Sequence, residues 1–326
     1  MYMILCIGEA VIDMFRKQDP CFGETFYPLP GGCAYNTSIA IGKLGASVAF
    51  LGRLSRNFFG EIQLKRLQEN NVKDNLLIRC EENPVLSFIK TEDGKEPQYA
   101  FYEAGTADRL LSIDDLPPQL PADTACIVFG SISMNMEPIA STIESLIFKE
   151  AGQKVIAFDP NIRPFMIKDR HAYLQRFEKW VGASTIVKIS LEDFEFILPN
   201  PKPEEALEKI IAMGESADPL RGKSSRLAIV TLGPRGAMAV LKRNDGSAIR
   251  VSAPGIEVPN LVDTVGAGDT FHGAFLARLE MKGKLSHNGI AALSEDDLFE
   301  ALVFANKAAA AVCSSRGAQF DNSVSC

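Results

Sequence analysis

The stretch Asp263-Thr264-Val265-Gly266-Ala267-Gly268-Asp269 runs directly into an amphipathic segment, residues 270–282, that predicts a helix. Its glycine and alanine residues bring the backbone into the first turn, where peptide N–H groups have no partner within the helix and the helix dipole is positive. Such a turn binds phosphate or an oxyanion. The sequence therefore predicts an α/β protein with an anion site at Gly266, Ala267 and Gly268.

Asp269 lies on the first turn of the same helix. A carboxylate does not pair with a resting phosphate, but it can take a proton from a hydroxyl group that attacks the phosphate. We expect the helix N-terminus to lower the pKa of Asp269, which would make it a weak base that takes the proton late. Glycine-rich turns between strand and helix also occur for tight packing alone, and this stretch by itself leaves that alternative open.

Composition excludes several classes of protein. The chain has 326 residues, enough for one large domain with an appendage or for two ordinary domains. Its net charge of −7 argues against a nucleic acid or an anionic membrane as partner. Seven scattered cysteines without a C-x-x-C pair predict reduced thiols. The short apolar start predicts a strand rather than a signal peptide, so we expect a cytoplasmic protein.

Apolar and helical patterns alternate along the chain. A continuous apolar run at residues 3–7 predicts a strand buried on both faces. From residue 124 onward, strand and helix patterns take turns, which predicts a doubly wound, mostly parallel sheet with helices on both faces. The predicted strands are 125–129, 154–158, 185–189 and 227–232, the predicted helices are 138–151, 172–180, 203–213 and 296–311, and a hairpin around residues 244–246 makes the sheet edge antiparallel.

Two predictions concern the N-terminal third. Residues 57–71 predict a helix whose buried stripe is Phe58, Ile62 and Leu67. Segments 12–33 and 84–106 predict a discontinuous β lid over the single α/β domain formed by residues 1–326. In the lid, residues 15–30 are predicted to be irregular, and two predicted strands, 85–90 and 97–102, flank an Asp-Gly turn. A lid keeps water from a reacting phosphoryl group, and its exposed strand edges predict a homodimer.

Polar residues follow the strands, at the edge of the sheet where ligands collect in open α/β folds. Asp13 can accept hydrogen bonds from sugar hydroxyls, although a surface turn is the alternative. The Gly31-Gly32 pair exposes backbone, and Asn36 both donates and accepts. Arg163 can clamp a transferring phosphoryl group. The pattern predicts a kinase that acts on an alcohol.

Four motifs in order carry a family resemblance: Gly-Gly-x-x-x-Asn at residues 31–36, Asp-x-Asn-x-Arg at 159–163, Thr-Leu-Gly-x-x-Gly at 231–236, and the opening stretch. Together they resemble the PfkB-type, ribokinase-like carbohydrate kinases across residues 8–318. The resemblance implies the ribokinase-like fold and ATP as phosphoryl donor. It implies Asp269 as base, with the N–H groups of residues 266–268 and Arg163 around the transferred group.

The resemblance also assigns ligand-binding residues. For the sugar it implies Asp13, Gly31, Gly32, Asn36, Phe101 and Asn161. For the nucleotide it implies Ser190, Thr231, Gly233, Gly236 and Asn306. For Mg²⁺ it implies Asp193, with the adjacent Glu192 leaving the register open and a helix cap as the alternative role. A K⁺ site is implied near residues 316–318, without ligands assigned.

The lid sequence bears on the substrate. Phe101-Tyr102-Glu103 resembles the lid of fructokinases, and a glutamate at residue 103 would repel an acid sugar. We therefore expect a fructokinase whose partners are a small sugar and ATP. The alternatives are 2-keto-3-deoxygluconate kinase and ribokinase, and from another class a non-catalytic sugar- or nucleotide-binding regulator on the same fold. Asp269 and Arg163 argue against the regulator.

Overall fold

The computed structural model describes residues 2–90, 98–217, 226–315 and 318. The Asp-Gly turn predicted in the lid, and Arg316 and Gly317, lie outside these residues. The strands are β1 Met3–Ile7, β2 Val11–Asp19, β3 Gly23–Gly31, β4 Val48–Ser55, β5 Val72–Lys73, β6 Leu77–Cys80, β7 Leu86–Lys90, β8 Gln98–Tyr102, β9 Thr124–Gly130, β10 Val155–Asp159, β11 Ile186–Ser190, β12 Arg226–Thr231, β13 Gly236–Lys242 and β14 Ala248–Pro254. The helices are α1 Cys33–Lys43, α2 Phe58–Glu69, α3 Ile139–Glu150, α4 Arg170–Ala183, α5 Leu191–Glu195, α6 Pro203–Ser216, α7 Ala267–Met281, α8 His287–Ala291 and α9 Glu295–Val312.

The main sheet has the strand order β14-β13-β12-β11-β10-β9-β1-β4-β5, and β6 also pairs with β4. Strands β12, β13 and β14 are antiparallel neighbours, and the other pairs in this sheet are parallel. The predicted doubly wound sheet with an antiparallel edge is therefore confirmed. Strand β1 lies between β4 and β9, which is the point where the strand order reverses and where such sheets open a crevice for ligands.

Each central strand buries both of its faces. In β1, Ile4 and Cys6 pack into the core layer that contains residues of α1, α7 and α9, whereas Leu5 and Ile7 pack into the layer of α3, α4 and α6. Alternate residues of a strand point to opposite faces, so two covered faces require a continuous apolar run. The same alternation decides which polar residues at the strand ends face α7.

Helix α7 is buried nearly all round, which contradicts the amphipathic segment predicted for it. It packs between α1 and α9, and its residues from Asp269 to Ala277 are all buried. A side chain at Gly273 would come within 2.9 Å of the Thr37 carbonyl in α1, so glycine permits the close approach of the two helices. A helix with neighbours on several sides has no stripe left for solvent.

Helix α2 begins as predicted but buries a different face. Asn57 caps it by accepting the N–H groups of Phe59 and Gly60 at 3.0 and 3.1 Å. Leu67 is buried, but the predicted stripe is wrong because Phe58 is 67% exposed and Ile62 is 43% exposed. The polar Gln63 is buried instead, because its amide donates a 2.8 Å hydrogen bond to the Ala10 carbonyl. Since Ala10 lies far away in sequence, the local pattern does not show that Gln63 is buried.

A second sheet has the order β3-β2-β7-β8. The prediction that residues 15–30 are irregular is wrong, since β2 and β3 pair antiparallel over their full lengths. Pro28 and Pro30 obscured the pattern, but β3 is an edge strand, where proline is tolerated. Rings of Phe15 and Tyr27 stack across this pair. Within the described residues, none of the helices combines the length and the apolar character that crossing a membrane requires.

Candidate active site

Two helix N-termini meet at the carboxyl edge of the main sheet. Helix α1 begins after Gly32 and α7 begins after Gly266, with φ angles of 107° and 80°, a region that favours glycine. Because glycine has no side chain, neither N-cap residue accepts a hydrogen bond from the first turn of its helix through a side chain. The N–H of Ala267 closes its turn onto the Thr264 carbonyl at 3.1 Å. The two positive helix ends thus point into one region of the molecule.

Asp269 lies at the centre of this region and is buried. Its Oδ2 accepts a 2.9 Å hydrogen bond from the Asn36 amide. Its Oδ1 lies 3.5 Å from the amide nitrogen of Asn161, which donates to it. The structure therefore brings together a residue of α1, a residue that follows β10, and the acid of α7.

The expectation that the helix would lower the pKa of Asp269 is wrong. Burial raises this pKa, the hydrogen bond from Asn36 lowers it, and the charge of Asp159 raises it again; smaller lowering effects come from Cys33 and Lys188. Loss of hydration outweighs the helix dipole here. A carboxylate with a raised pKa is a better proton acceptor near neutral pH.

Asp13, on β2, lies directly over the backbone of Gly31 on β3. A side chain at Gly31 would place its first carbon 2.1 Å from Asp13 Oδ2, so glycine lets this carboxylate lie close to the backbone of β3. Burial raises the pKa of Asp13 to about 7, a hydrogen bond from Ser87 lowers it, and the charge of Asp269 raises it. Asp13 and Asp269 are therefore close enough to influence each other's ionisation.

Lys188, in the middle of β11, was not among the residues predicted for the site. Its ammonium nitrogen lies 2.8 Å from Asp159 Oδ2, and both side chains are buried. The same nitrogen is 3.0 Å from the place that a side-chain carbon on Gly268 would occupy. Burial lowers the pKa of Lys188, but the charge and hydrogen bond of Asp159, with smaller contributions from other acids, raise it above its usual range.

A signal for Lys188 exists in the sequence. It is the one charged residue within the apolar segment 185–189, and a buried lysine needs a partner. Strand alternation places Lys188 on the same face as Ile186, which packs in the layer of α7. What the sequence does not give is the distance to Asp159, 29 residues away.

Arg163 influences two of the acids that the sequence predicts for the site, Asp13 and Asp193. Its guanidinium is partly buried and donates to the Ile162 carbonyl at 3.0 Å. Its charge lowers the pKa of both Asp13 and Asp193, against the larger raising effect of burial on each. One arginine therefore acts electrostatically on both halves of the region.

The predicted metal ligand faces inward. Asp193 is partly buried while Glu192 is exposed, so Asp193 is the better placed of the two acids to face a ligand within the molecule. Burial raises the pKa of Asp193 to about 6, against the charge of Arg163. Ser190 caps α5, because its hydroxyl oxygen accepts the Asp193 N–H at 2.9 Å.

The other predicted nucleotide residues lie along the antiparallel side of the sheet. Thr231 ends β12, and Gly233 and Gly236 adopt φ angles of 59° and 98° in the turn to β13. The Asn306 amide donates to the Pro254 carbonyl at 2.9 Å, which ties α9 to the end of β14.

In the lid, Glu103 is not a free negative charge. It forms an ion pair with Arg109, and both side chains are about one third exposed. Phe101 packs against Phe165, with ring centroids 5.6 Å apart. The predicted repulsion of acid sugars by Glu103 is therefore weaker than the sequence suggests, because Arg109 neutralises it.

Glu9 is a second residue of this region that was not predicted. It is buried, and its Oε1 accepts the N–H of Cys33 at 2.9 Å, so it caps α1 from 24 residues away. The Ser133 hydroxyl donates to its other oxygen. The available signal in the sequence was an acid two residues after the end of β1.

Comparisons with known proteins agree on this fold. The family model described as "pfkB family carbohydrate kinase" matches residues 1–324. A fructokinase of Rhizobium leguminosarum bv. trifolii is 35% identical over 296 residues, which are 91% of this chain and 85% of that protein. A fructokinase of Xylella fastidiosa with bound ATP has a TM-score of 0.83 at 23% identity, covering 97% of this chain and 93% of that one. A Vibrio cholerae O395 fructokinase with fructose, ADP and calcium has a TM-score of 0.77 at 24% identity, covering 98% and 94%.

Proposed function

The chain belongs to the pfkB family of carbohydrate kinases, and from that premise we propose that it transfers the terminal phosphoryl group of ATP to D-fructose. The products are fructose 6-phosphate and ADP. Fructose is favoured because the relative at 35% identity over most of the chain is a fructokinase. The likeness to the two solved fructokinases supports the fold only.

The observation that carries the proposal is the setting of Asp269. It is a buried carboxylate with a raised pKa at the N-terminus of α7, and Asn36 and Asn161 hold it by their amides. A base so placed takes the proton of a sugar hydroxyl as that oxygen bonds to phosphorus. The two amide groups fix the carboxylate, so it loses little freedom in the reaction.

Positive groups around Asp269 suit the charge of the transferred phosphoryl group. The turn at residues 266–268 lies at the positive end of the helix dipole, and the Lys188 ammonium lies beside Gly268. Arg163 acts on the same region from the end of β10. Fixed positive groups in a site that excludes water stabilise a developing negative charge more than water does.

The sugar would lie between the lid and the main sheet. Three lid strands contribute directly to the proposed sugar site: Asp13 lies on β2, Gly31 ends β3, and Ser87 of β7 hydrogen-bonds Asp13. Phe101, on β8, supplies an apolar wall with Phe165. We assign Asp13, Gly31, Gly32, Asn36 and Asn161 to the sugar hydroxyls, and we assign the covering role to the four-stranded sheet, whose edge strands offer a dimer contact.

The nucleotide would lie along Ser190, Thr231, Gly233, Gly236 and Asn306. Asp193 fits a magnesium ion, because it is an inward-facing carboxylate beside the proposed phosphate residues and oxygen is the ligand that Mg²⁺ prefers. A bound Mg²⁺ neutralises charge on the ATP phosphates. Arg163 keeps Asp193 ionised against the effect of burial, so the carboxylate remains available to a cation.

A panel of acceptors tests the proposal. ADP formation is measured with fructose, ribose, 2-keto-3-deoxygluconate and nucleosides, and the phosphorylated product is identified by ³¹P NMR. We expect the highest kcat/KM with fructose and a phosphate on its 6-position. A higher kcat/KM with another acceptor would replace fructose, and absence of turnover with every acceptor would support a binding protein instead.

A further inference from the structure

A thiol and two carboxylates converge beside the proposed base. Cys33 begins α1, Asp159 ends β10, and Asp269 lies on the first turn of α7. One ligand atom from each, a sulfur and two carboxylate oxygens, lie within 4.8 Å of one another. Cys33 is partly exposed whereas both acids are buried, so the cluster can be reached from one side.

Buried polar atoms next to this cluster lack partners. Among the described residues, Asp159 Oδ1 and both ring nitrogens of His272 make no hydrogen bond. His272 is fully buried, and its Nδ1 lies 3.8 Å from Asp159 Oδ2. A neutral imidazole carries a free lone pair on one ring nitrogen, which can bind a metal ion. An unpartnered buried atom costs free energy that a bound cation would recover.

The local charge favours a cation. The cluster contains two carboxylates, those of Asp159 and Asp269, whereas Lys188 supplies one ammonium group, which contacts Asp159. Lys188 occupies Asp159 Oδ2 and leaves Oδ1 available. Sulfur, carboxylate oxygen and imidazole nitrogen together suit a borderline-soft divalent ion in tetrahedral geometry, whereas Mg²⁺ prefers oxygen ligands only.

We propose that Cys33, Asp159 and Asp269 form a binding site for a thiophilic divalent ion such as Zn²⁺ or Cd²⁺, and that the bound ion inhibits the enzyme. On binding, the Cys33 thiol loses its proton to solvent and its sulfur bonds to the metal. His272, whose Nδ1 lies 3.8 Å from Asp159 Oδ2, is a further donor. The ion takes the carboxylate that serves as base, so a sugar hydroxyl has no acceptor for its proton.

Binding goes beyond the proposed function and does not depend on it, while inhibition rests on it. Binding is measured first, by titrating Cd²⁺ into the metal-free full chain without nucleotide or sugar and recording the thiolate-to-cadmium absorption band. We expect the band to saturate at one Cd²⁺ per chain. C33S should lose it, D159N should bind at least about tenfold more weakly, and the exposed-cysteine control C21S should behave as wild type.

Circular dichroism of each variant controls for folding, and D159N tests the site without touching the thiol. A wild-type chain without the band, or a C33S chain with the same band and affinity, would overturn the site. Inhibition is measured with Zn²⁺ at fixed Mg–ATP, relative to the uninhibited rate of each variant. We expect inhibition competitive with the sugar, reversed by a chelator and weakened at least about tenfold in C33S. Binding without inhibition would disprove the inhibitory role alone.

Discussion

The amide of Asn36 donates a 2.9 Å hydrogen bond to the carboxylate of Asp269, across 233 residues of chain. This contact joins the first turns of α1 and α7, which carry the two glycine motifs of the sequence. It opposes the effect of burial by lowering the pKa of Asp269. The two glycine motifs therefore meet at one place in the structure, where a neutral amide favours the ionised form of Asp269.

The glycine at the start of α7 is expected to matter for turnover beyond its backbone conformation. Gly266 and Gly283 lie at opposite ends of α7 with φ angles of 80° and 64°. Alanine at either position costs about 1–2 kcal/mol of stability from the left-handed backbone. G266A should also lose kcat, because its side chain meets Ala318 at 2.3 Å and distorts the anion turn, whereas Gly283 faces open space.

The matched control is therefore G283A, which should lose stability but keep kcat. Urea unfolding and steady-state kinetics on both variants measure the two effects separately. Equal kcat in G266A and G283A would mean that the turn does not hold the phosphoryl group.

Removal of the buried lysine should separate structure from catalysis. K188M leaves Asp159 buried without a partner, which costs about 3–5 kcal/mol of stability. The double variant K188M/D159N removes both charges and should regain most of that stability. Its kcat should nevertheless stay about 10²–10³-fold below wild type, since a positive group beside Gly268 is lost. Recovery of kcat in the double variant would assign Lys188 a structural role only.

Asp13 should give the activity a pH dependence near neutrality. Its pKa is raised to about 7 by burial, so kcat/KM for fructose should fall as the pH falls through about 7 and the carboxyl group takes up a proton. The Ser87 hydrogen bond lowers this pKa, so S87A should move the acid limb to higher pH. D13N should remove the part of the limb that belongs to Asp13 and leave the part that belongs to the base Asp269. A pH profile that S87A leaves unchanged would contradict the assignment.

The raised pKa of Asp13 also makes the stability of the protein depend on pH. The folded state binds the Asp13 proton more tightly than the unfolded chain, whose carboxyl keeps its ordinary value of 3.8. This contribution to stability is present below that value and is lost as the pH rises to about 7. Measured by urea unfolding, D13N should therefore gain stability relative to wild type as the pH rises over this range.

The lid ion pair should control tolerance of acid sugars. Arg109 is neutralised by Glu103, so E103A frees a positive charge near Phe101. E103A should raise kcat/KM for 2-keto-3-deoxygluconate relative to fructose, and E103A/R109A should not. The acceptor panel measures both ratios. An unchanged ratio in E103A would place this pair away from the sugar.

Local patterns predicted most of the fold. Continuous apolar runs located the buried strands because two covered faces leave no polar position. The β3 strand was not predicted because it contains prolines, which a strand tolerates only at the edge of a sheet. The local sequence does not show that β3 is an edge strand. The buried stripe predicted for α2 was wrong because Gln63 can be buried: its amide donates to two carbonyl groups far away in sequence.

The sequence predicted those residues of the candidate site that belong to recognisable motifs. Asn36, Asn161 and Asp269 could be named from the sequence, and the structure brings them together. Lys188 and the raised pKa of Asp269 could not be predicted, because both depend on burial and on distances between residues of different elements. Partner and environment, rather than residue type, determine these properties.

The central claim is that Asp269 is the base for phosphoryl transfer. The most direct measurement compares kcat for fructose phosphorylation in wild type and D269N, with affinities for ATP and fructose measured by calorimetry. Asparagine has nearly the same shape as aspartate but cannot take the proton of the sugar hydroxyl. The kcat should therefore fall about 10²–10⁴-fold while both ligands still bind. A D269N enzyme that binds both ligands and turns over at nearly the wild-type rate would contradict the account.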